Sequence, residues 1–313
     1  MGMTLDHVAE TSEKIQSMEI RGAGKIARSA ADALRQFAKD SDEESISEFL
    51  RQLREAGDIL ISSRPSAVSL PNSVRYILHR VENTSTDDVE DLKEATIKVA
   101  DSFIKNSVEA VEKIGLYGAK RIEDGDTVMT HCNSAAALEV IKSAWGEGKD
   151  IRVIASEARP RYQGHITVRE LAAEGIPVTL IVDSAVRAVM KQVDKVVVGA
   201  DSIAANGAVI NKIGTSQIAL CAHEARVRFF VAAETYKFHP ETLLGDTVEI
   251  EERDPSEVAD PDDFEGVTIR NLAFDVTPPE YVDLIVTEKG VIPAQAAIMI
   301  IKEEFGWAVG GRW

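Results

Sequence analysis

The chain has 313 residues, 44% hydrophobic and 28% charged, with a net charge of −17. That charge excludes a nucleic-acid-binding surface, which needs clustered Lys and Arg, but leaves room for a small basic pocket. Its two cysteines, Cys132 and Cys221, exclude a disulfide framework and match no zinc spacing.

The length predicts about two domains. No N-terminal segment reads as a signal peptide and no apolar run is long enough for a bilayer, so a reducing cytoplasm is the expected compartment. Residues 1–120 are expected to form a helical domain. Early in it, Ile20-Arg21-Gly22-Ala23-Gly24-Lys25 reads as a turn into a helix. Two glycines there would let the backbone approach a ligand, and Arg21 could clamp a phosphate, although on these residues alone a plain helix-helix turn is the favoured reading. Glu43 to Ile61 carries apolar residues at helical spacing, among them Ile46, Phe49, Leu53 and Leu60. It ends at Ser62-Ser63-Arg64-Pro65, a helix stop or a second phosphate-binding arginine. The caps and early acids of Thr84–Glu90 open a long helix toward Gly115.

From Ile122 onward short β-branched runs alternate with helical stretches. Strands are expected at 127–130, 151–155, 177–182, 195–198, 228–232 and 284–286, and helices at 135–145, 167–174, 185–189, 217–226 and 294–305. This alternation predicts an α/β fold: a helical N-terminal domain followed by a Rossmann-like domain, residues 121–313, with a mostly parallel sheet. Residues 251–264 are acidic and proline-broken and read as a solvated loop without chemistry.

Five constellations carry polar groups to strand ends or helix starts. Cys132 lies where the first strand hands over to a helix, with Asn133 and Ser134 as caps. The amide groups and macrodipole there would favour a thiolate, and ligands of open α/β sheets bind at such places; a small buried hydrophobe is the bland alternative. Asp201 follows the strand Lys195–Val198 and is a catalytic carboxylate or a cap. A thiol and a carboxylate facing one substrate would form the acid/base pair that sugar isomerisation needs. Asn206-Gly207 marks a turn, after which Asn211 and Lys212 are expected to open a helix and bind an anion or a sugar hydroxyl; a hairpin and a solvent-facing lysine fit equally. Arg159 and Gln163, on a loop between a strand and a helix, are polar groups at the expected ligand-binding edge of the sheet; a plain loop with exposed arginines is the alternative. Lys237 lies beyond another strand end. His131, His165, His223 and His239 show no metal spacing and are expected to be structural.

Taken in order, Thr130-His131-Cys132-Asn133-Ser134, Ala158–Gly164, Gly199-Ala200-Asp201-Ser202, Asn211–Thr215 and Ala232–Lys237 resemble the superfamily of methylthioribose-1-phosphate isomerase and the regulatory subunits of translation initiation factor 2B. Within it, Arg21–Gly24, Arg64–Asn72 and Arg159–His165 make the chain most similar to the archaeal ribose-1,5-bisphosphate isomerases. The resemblance implies catalysis by Cys132 and Asp201. It also implies substrate contacts from Arg21, Gly22, Ala23, Gly24, Arg64, Ser134, Asn211, Lys212 and Lys237. Such enzymes are cytoplasmic homo-oligomers, typically hexamers built from dimers and activated by AMP, that supply ribulose-1,5-bisphosphate to RuBisCO in nucleotide salvage. They require no metal or redox cofactor. A methylthioribose-1-phosphate isomerase and a non-catalytic regulatory subunit are the rival expectations. The chemistry could run by proton transfer or by a hydride shift.

Overall fold

Up to Ala119, apolar residues at helical spacing become five helices among the described residues. The computed structural model describes residues 5–246 and 248–308. The chain divides into two compact units, Met1–Glu109 and Ala110–Trp313.

The first unit contains α1 (Asp6–Gln16), α2 (Ala23–Asp40), α3 (Ile46–Ser63), α4 (Ser69–Glu82) and the start of α5 (Val89–Ala119). Ile26, Ala30, Leu34 and Phe37 form the buried stripe of α2, and Phe37 packs on Phe49 of α3 with ring centroids 5.9 Å apart. Each large apolar side chain so buried contributes about 1.5–3 kcal/mol relative to exposure. Ser45 caps α3 by accepting from the Glu48 N–H, which satisfies one of the amide donors that a helix start leaves without a partner. No helix among the described residues is long and apolar enough to cross a membrane.

The second unit is built on β1 (Thr127–Thr130), α6 (Ala135–Gly146), β2 (Arg152–Ser156), α7 (Gln163–Ala173), β3 (Val178–Ile181), α8 (Val186–Val189) and β4 (Lys195–Val198). After these come β5 (Ser202–Ile203), β6 (Val209–Lys212), α9 (Thr215–Ala225), β7 (Arg228–Ala232), β8 (Phe274–Thr277), β9 (Leu284–Thr287), β10 (Gly290–Ile292) and α10 (Ala297–Phe305). The main sheet has the order β10-β9-β7-β4-β1-β2-β3. All its pairings are parallel except β10 on β9. Its central strands are apolar on both sides because helices cover both faces. Val196, Val198, Phe229 and Val231 enter one core, and Val128, Val197, Phe230 and Ala232 the other.

Chain order reverses between β1 and β4. From β1 the connections run outward through β2 to β3; the chain then returns to β4 and runs the other way. Strand ends that diverge in this manner leave a crevice at their carboxyl edge. A second, antiparallel sheet of order β5-β6-β8 lies beside the exit of β4 in sequence.

Two local expectations change. Asn211 and Lys212 end a strand rather than open a helix. The Asn206-Gly207 turn folds β6 back on β5, with Ser202 opposite Ile210. The strand then runs on until Gly214, at φ 102°, turns the corner into α9. The helix expected from Thr167 already begins at Gln163, because Gly164 lets the first turn press against β2. A Cβ on Gly164 would overlap the carbonyl oxygen of Ser156. Backbone cannot yield as a side-chain tip does, so Gly164→Ala is expected to cost at least the ~1–3 kcal/mol typical of overpacking. A drop of several degrees in the thermal unfolding midpoint would show it, and an unchanged midpoint would contradict it.

Candidate functional site

Cys132 sits two residues beyond β1 with φ 65°, a left-handed conformation that costs a non-glycine residue about 1–2 kcal/mol. Three contacts hold it there. The His131 Nδ1 lies 2.5 Å from the Ser156 hydroxyl on β2, and its Nε2–H donates to the Ile213 carbonyl at 2.8 Å. Thr167 Oγ1 donates to the Cys132 carbonyl at 2.6 Å. Burial lowers the His131 pKa, so the ring is a neutral strut between β1, β2 and the corner after β6. Ser134 is the cap of α6, accepting from the Ala137 N–H at 3.3 Å. Asn133 instead donates to Thr167 at 3.2 Å.

Asp201 leaves β4, which pairs directly with β1: Val128 faces Lys195 and Met129 faces Val196. Gly199 brings the two exits together, since a Cβ there would overlap the Ser134 side chain. The Asp201 N–H donates to the Ile210 carbonyl at 2.9 Å, tying the carboxylate's backbone to β6. The resulting Cys132–Asp201 proximity is felt electrostatically: the aspartate is one cause raising the thiol pKa.

The thiolate expected from the helix N-terminus does not form in the unliganded site. Burial pushes the Cys132 thiol up to about 11, with Asp201 adding to the rise and Lys212, the Asn133 N–H and Arg253 opposing it. The macrodipole loses because desolvating an anion outweighs one helix end. The proton therefore stays on sulfur.

Lys212 is 5% exposed. Among the described residues its ammonium has no carboxylate at ion-pair distance, and it lies 4.8 Å from the centroid of the Phe274 ring. Burial lowers its pKa. Asn211 is oriented by donating to Thr215 Oγ1 at 3.0 Å. The corner beyond them is clamped by Asp275 on β8, which accepts from the N–H groups of Gly214 at 2.7 Å and Ser216 at 3.1 Å. Burial pushes the Asp275 carboxyl up to about 6, against those two bonds.

The segment expected to be a chemically idle loop delivers a cation instead. Arg253 pairs with Leu272's neighbour Asn271 through its backbone N–H at 2.9 Å. Its side chain is 9% exposed, and it is close enough to lower the Cys132 pKa. Acidic composition concealed it, because Asn271, Leu272 and Ala273 lie far along the sequence yet pair with residues 251–253.

Other marked residues have definite places. Gln163 starts α7 with a buried Oε1 that has no hydrogen-bond partner among the described residues, an acceptor suited to a ligand hydroxyl. Arg159 is committed to Tyr162 Oη at 2.7 Å and the Val258 carbonyl at 2.9 Å. Lys237 forms a buried ion pair with Glu234 at 2.7 Å. Burial alone would raise the Glu234 carboxyl, but Lys237 and the Tyr236 hydroxyl hold it below its ordinary value. In the first unit, Gly22 at φ 88° precedes α2 with Ala23 and Gly24 in its first turn, beside the exposed Arg21. Arg64 ends α3. Ser69 Oγ donates to the Ala23 carbonyl at 2.9 Å, joining these two arginine-bearing turns.

The model of the initiation factor 2 subunit family matches residues 19–294. A ribose 1,5-bisphosphate isomerase of Thermococcus kodakarensis is 58% identical over 308 residues, 96% of each chain. The solved translation initiation factor eIF-2B of Pyrococcus horikoshii OT3 is 34% identical with a TM-score of 0.80, over 92% of this chain and 97% of the other. The 5-methylthioribose 1-phosphate isomerase of the same organism is 32% identical with a TM-score of 0.77, over 96% and 88%.

The state of the thiol is open to direct measurement. Alkylation by iodoacetamide proceeds through thiolate, so its rate at Cys132 is expected to climb about tenfold per pH unit from about pH 7 to about pH 10. Mass spectrometry of the Cys132 peptide separates it from Cys221. A plateau by about pH 8 would mean that the helix terminus, not burial, sets the thiol.

Proposed function

The chain belongs to the initiation factor 2 subunit family, and within it we propose that the protein isomerises α-D-ribose 1,5-bisphosphate to D-ribulose 1,5-bisphosphate. The observation that carries this reading is the thiol and carboxylate on the two strand exits flanking the sheet's reversal point. Identity of 58% to a ribose 1,5-bisphosphate isomerase, against 38% to a methylthioribose-1-phosphate isomerase and 37% to an eIF-2B subunit delta, supports it.

The substrate sets a specific problem. A phosphate on carbon 1 blocks spontaneous opening of the furanose ring, so the enzyme itself must protonate the ring oxygen. In the resting site the proton sits on sulfur. Its transfer from Cys132 to Asp201 arms both groups at once: a thiolate base and a carboxylic acid. Asp201 then protonates the ring oxygen as the bond from that oxygen to carbon 1 breaks, while Cys132 takes the proton from carbon 2. The product of this step is an enol phosphate. Cys132 returns its proton to carbon 1, and Asp201 takes the hydroxyl proton from oxygen 2 as the ketone forms. Both groups end in the armed state, and return of the proton from Asp201 to Cys132 restores the resting site.

Lys212 supplies positive charge beside the reacting pair. Asn211, Ser134 and Gln163 offer hydrogen bonds to sugar hydroxyls or phosphate. Lys237, neutralised by Glu234, and Arg159, braced against Tyr162, serve better as supports for their strand-end loops. Arg21 to Gly24 and Arg64 read phosphate, because two joined turns bearing guanidinium and helix-start amides suit an anion. An acidic protein must concentrate its cations to hold a bisphosphate. On the resemblance, the enzyme works in the cytoplasm as a homo-oligomer, a hexamer built from dimers and activated by AMP, feeding RuBisCO from nucleotide salvage.

Turnover of ribose 1,5-bisphosphate by the purified chain alone tests the reading, and its absence would leave the regulatory-subunit alternative. Cys132→Ser and Asp201→Asn are each expected to lose roughly 10²–10⁴-fold in kcat, as for a missing acid or base. Asp201→Asn should still bind substrate by calorimetry; loss of binding would make Asp201 a recognition group. Removing Arg21 or Arg64 should raise KM more than it lowers kcat, by about ten- to a hundredfold for a charge-assisted contact. Variants that keep the wild-type preference for ribose 1,5-bisphosphate over ribose 1-phosphate would place both arginines outside substrate recognition.

A further inference from the structure

A buried guanidinium is costly unless its donors are used. Arg253 uses only part of its fork. Its Nε donates to Glu251 Oε1 at 2.7 Å, and its plane lies over Phe274, 5.7 Å from the ring centroid. Among the described residues its two Nη groups have no hydrogen-bond partner. Lys212 lies over the same ring. Two buried cations therefore share one aromatic platform, with Glu251 the sole carboxylate among the described residues bonded to either.

The local backbone explains how they meet. Lys212 on β6 is opposite Phe274 on β8. Just before β8, residues 271–273 pair with 251–253: Glu252 bridges Leu272, and the Ala273 N–H donates to the Glu251 carbonyl at 2.9 Å. This short ribbon carries Arg253 alongside Phe274. Two cations thus stand beside Glu251 and Asp201, and one of them keeps a free planar fork, the donor geometry that grips phosphate through two parallel bonds.

We propose that Arg253 is a further substrate-binding residue, whose free Nη groups hold a phosphate of the sugar bisphosphate together with the Lys212 ammonium. The identity of that ligand rests on the isomerase reading above; the anion site does not. Arg253 is also close enough to Cys132 to lower its pKa.

The test uses the full-length chain and two variants: Arg253→Met, which keeps the packing on Phe274, and Arg253→Lys, which keeps the charge and loses the fork. Calorimetry with inorganic pyrophosphate is expected to give a Kd raised about ten- to a hundredfold in R253M, with a smaller rise in R253K. With ribose 1,5-bisphosphate, KM should rise more than kcat falls. If R253M does not fold, the R253K comparison decides. Pyrophosphate that fails to bind the wild-type chain, or binds a folded variant as tightly, overturns the proposal. A wild-type chain that binds pyrophosphate through Arg253 yet does not turn over the bisphosphate sinks the isomerase reading and leaves this anion site standing.

Discussion

Strands β1 and β4 share one ladder, Val128 beside Lys195 and Met129 beside Val196, yet the chain reaches its other strands from them in opposite directions. Parallel pairing sends both carboxyl ends to the same edge. Opposite departures keep the connecting segments from filling the space between those ends. The position of Cys132 and Asp201 follows from this pairing, and so does the need for Gly199, the residue without a side chain where Ser134 crosses. Hydrogen bonds from His131 to β2 and to the corner after β6 then fix the thiol-bearing residue in a backbone state it would not choose alone.

The electrostatics of the site are set by desolvation more than by neighbours. The thiol is raised, the Lys212 ammonium lowered and the Asp275 carboxyl raised, each with burial as the largest cause. Each shift favours the uncharged form. A site so arranged resists holding charge until an anion arrives to pair with its cations, and the surrounding net charge of −17 makes that local concentration of Lys and Arg more selective.

Much of this was legible in the sequence. The strands Thr127–Thr130, Lys195–Val198 and Arg228–Ala232 stand where their β-branched runs put them, because a strand buried on both faces leaves a continuous apolar signature. Cys132 and Asp201 could be marked as strand-end groups for the same reason. What stayed hidden depended on pairing between distant segments. Asn211 and Lys212 look like a helix start until the hairpin at Asn206-Gly207 carries them on as a strand. Phe274–Thr277 looks unremarkable until it pairs with β6. Arg253 lies in an acidic stretch, and only the ribbon with residues 271–273 turns it from solvent to site. Gln163 was found, but its orphaned Oε1 is a fact of packing that no local pattern encodes.

The protonated state of the half-buried Cys132 has a consequence for the lifetime of the enzyme. Peroxide and electrophiles attack thiolate, and oxidation to sulfenic acid and beyond begins from that form. Under the proposed mechanism, in which Cys132 rests as thiol and becomes anionic only when substrate covers it, the residue is shielded from the oxidative wear that a standing thiolate would suffer.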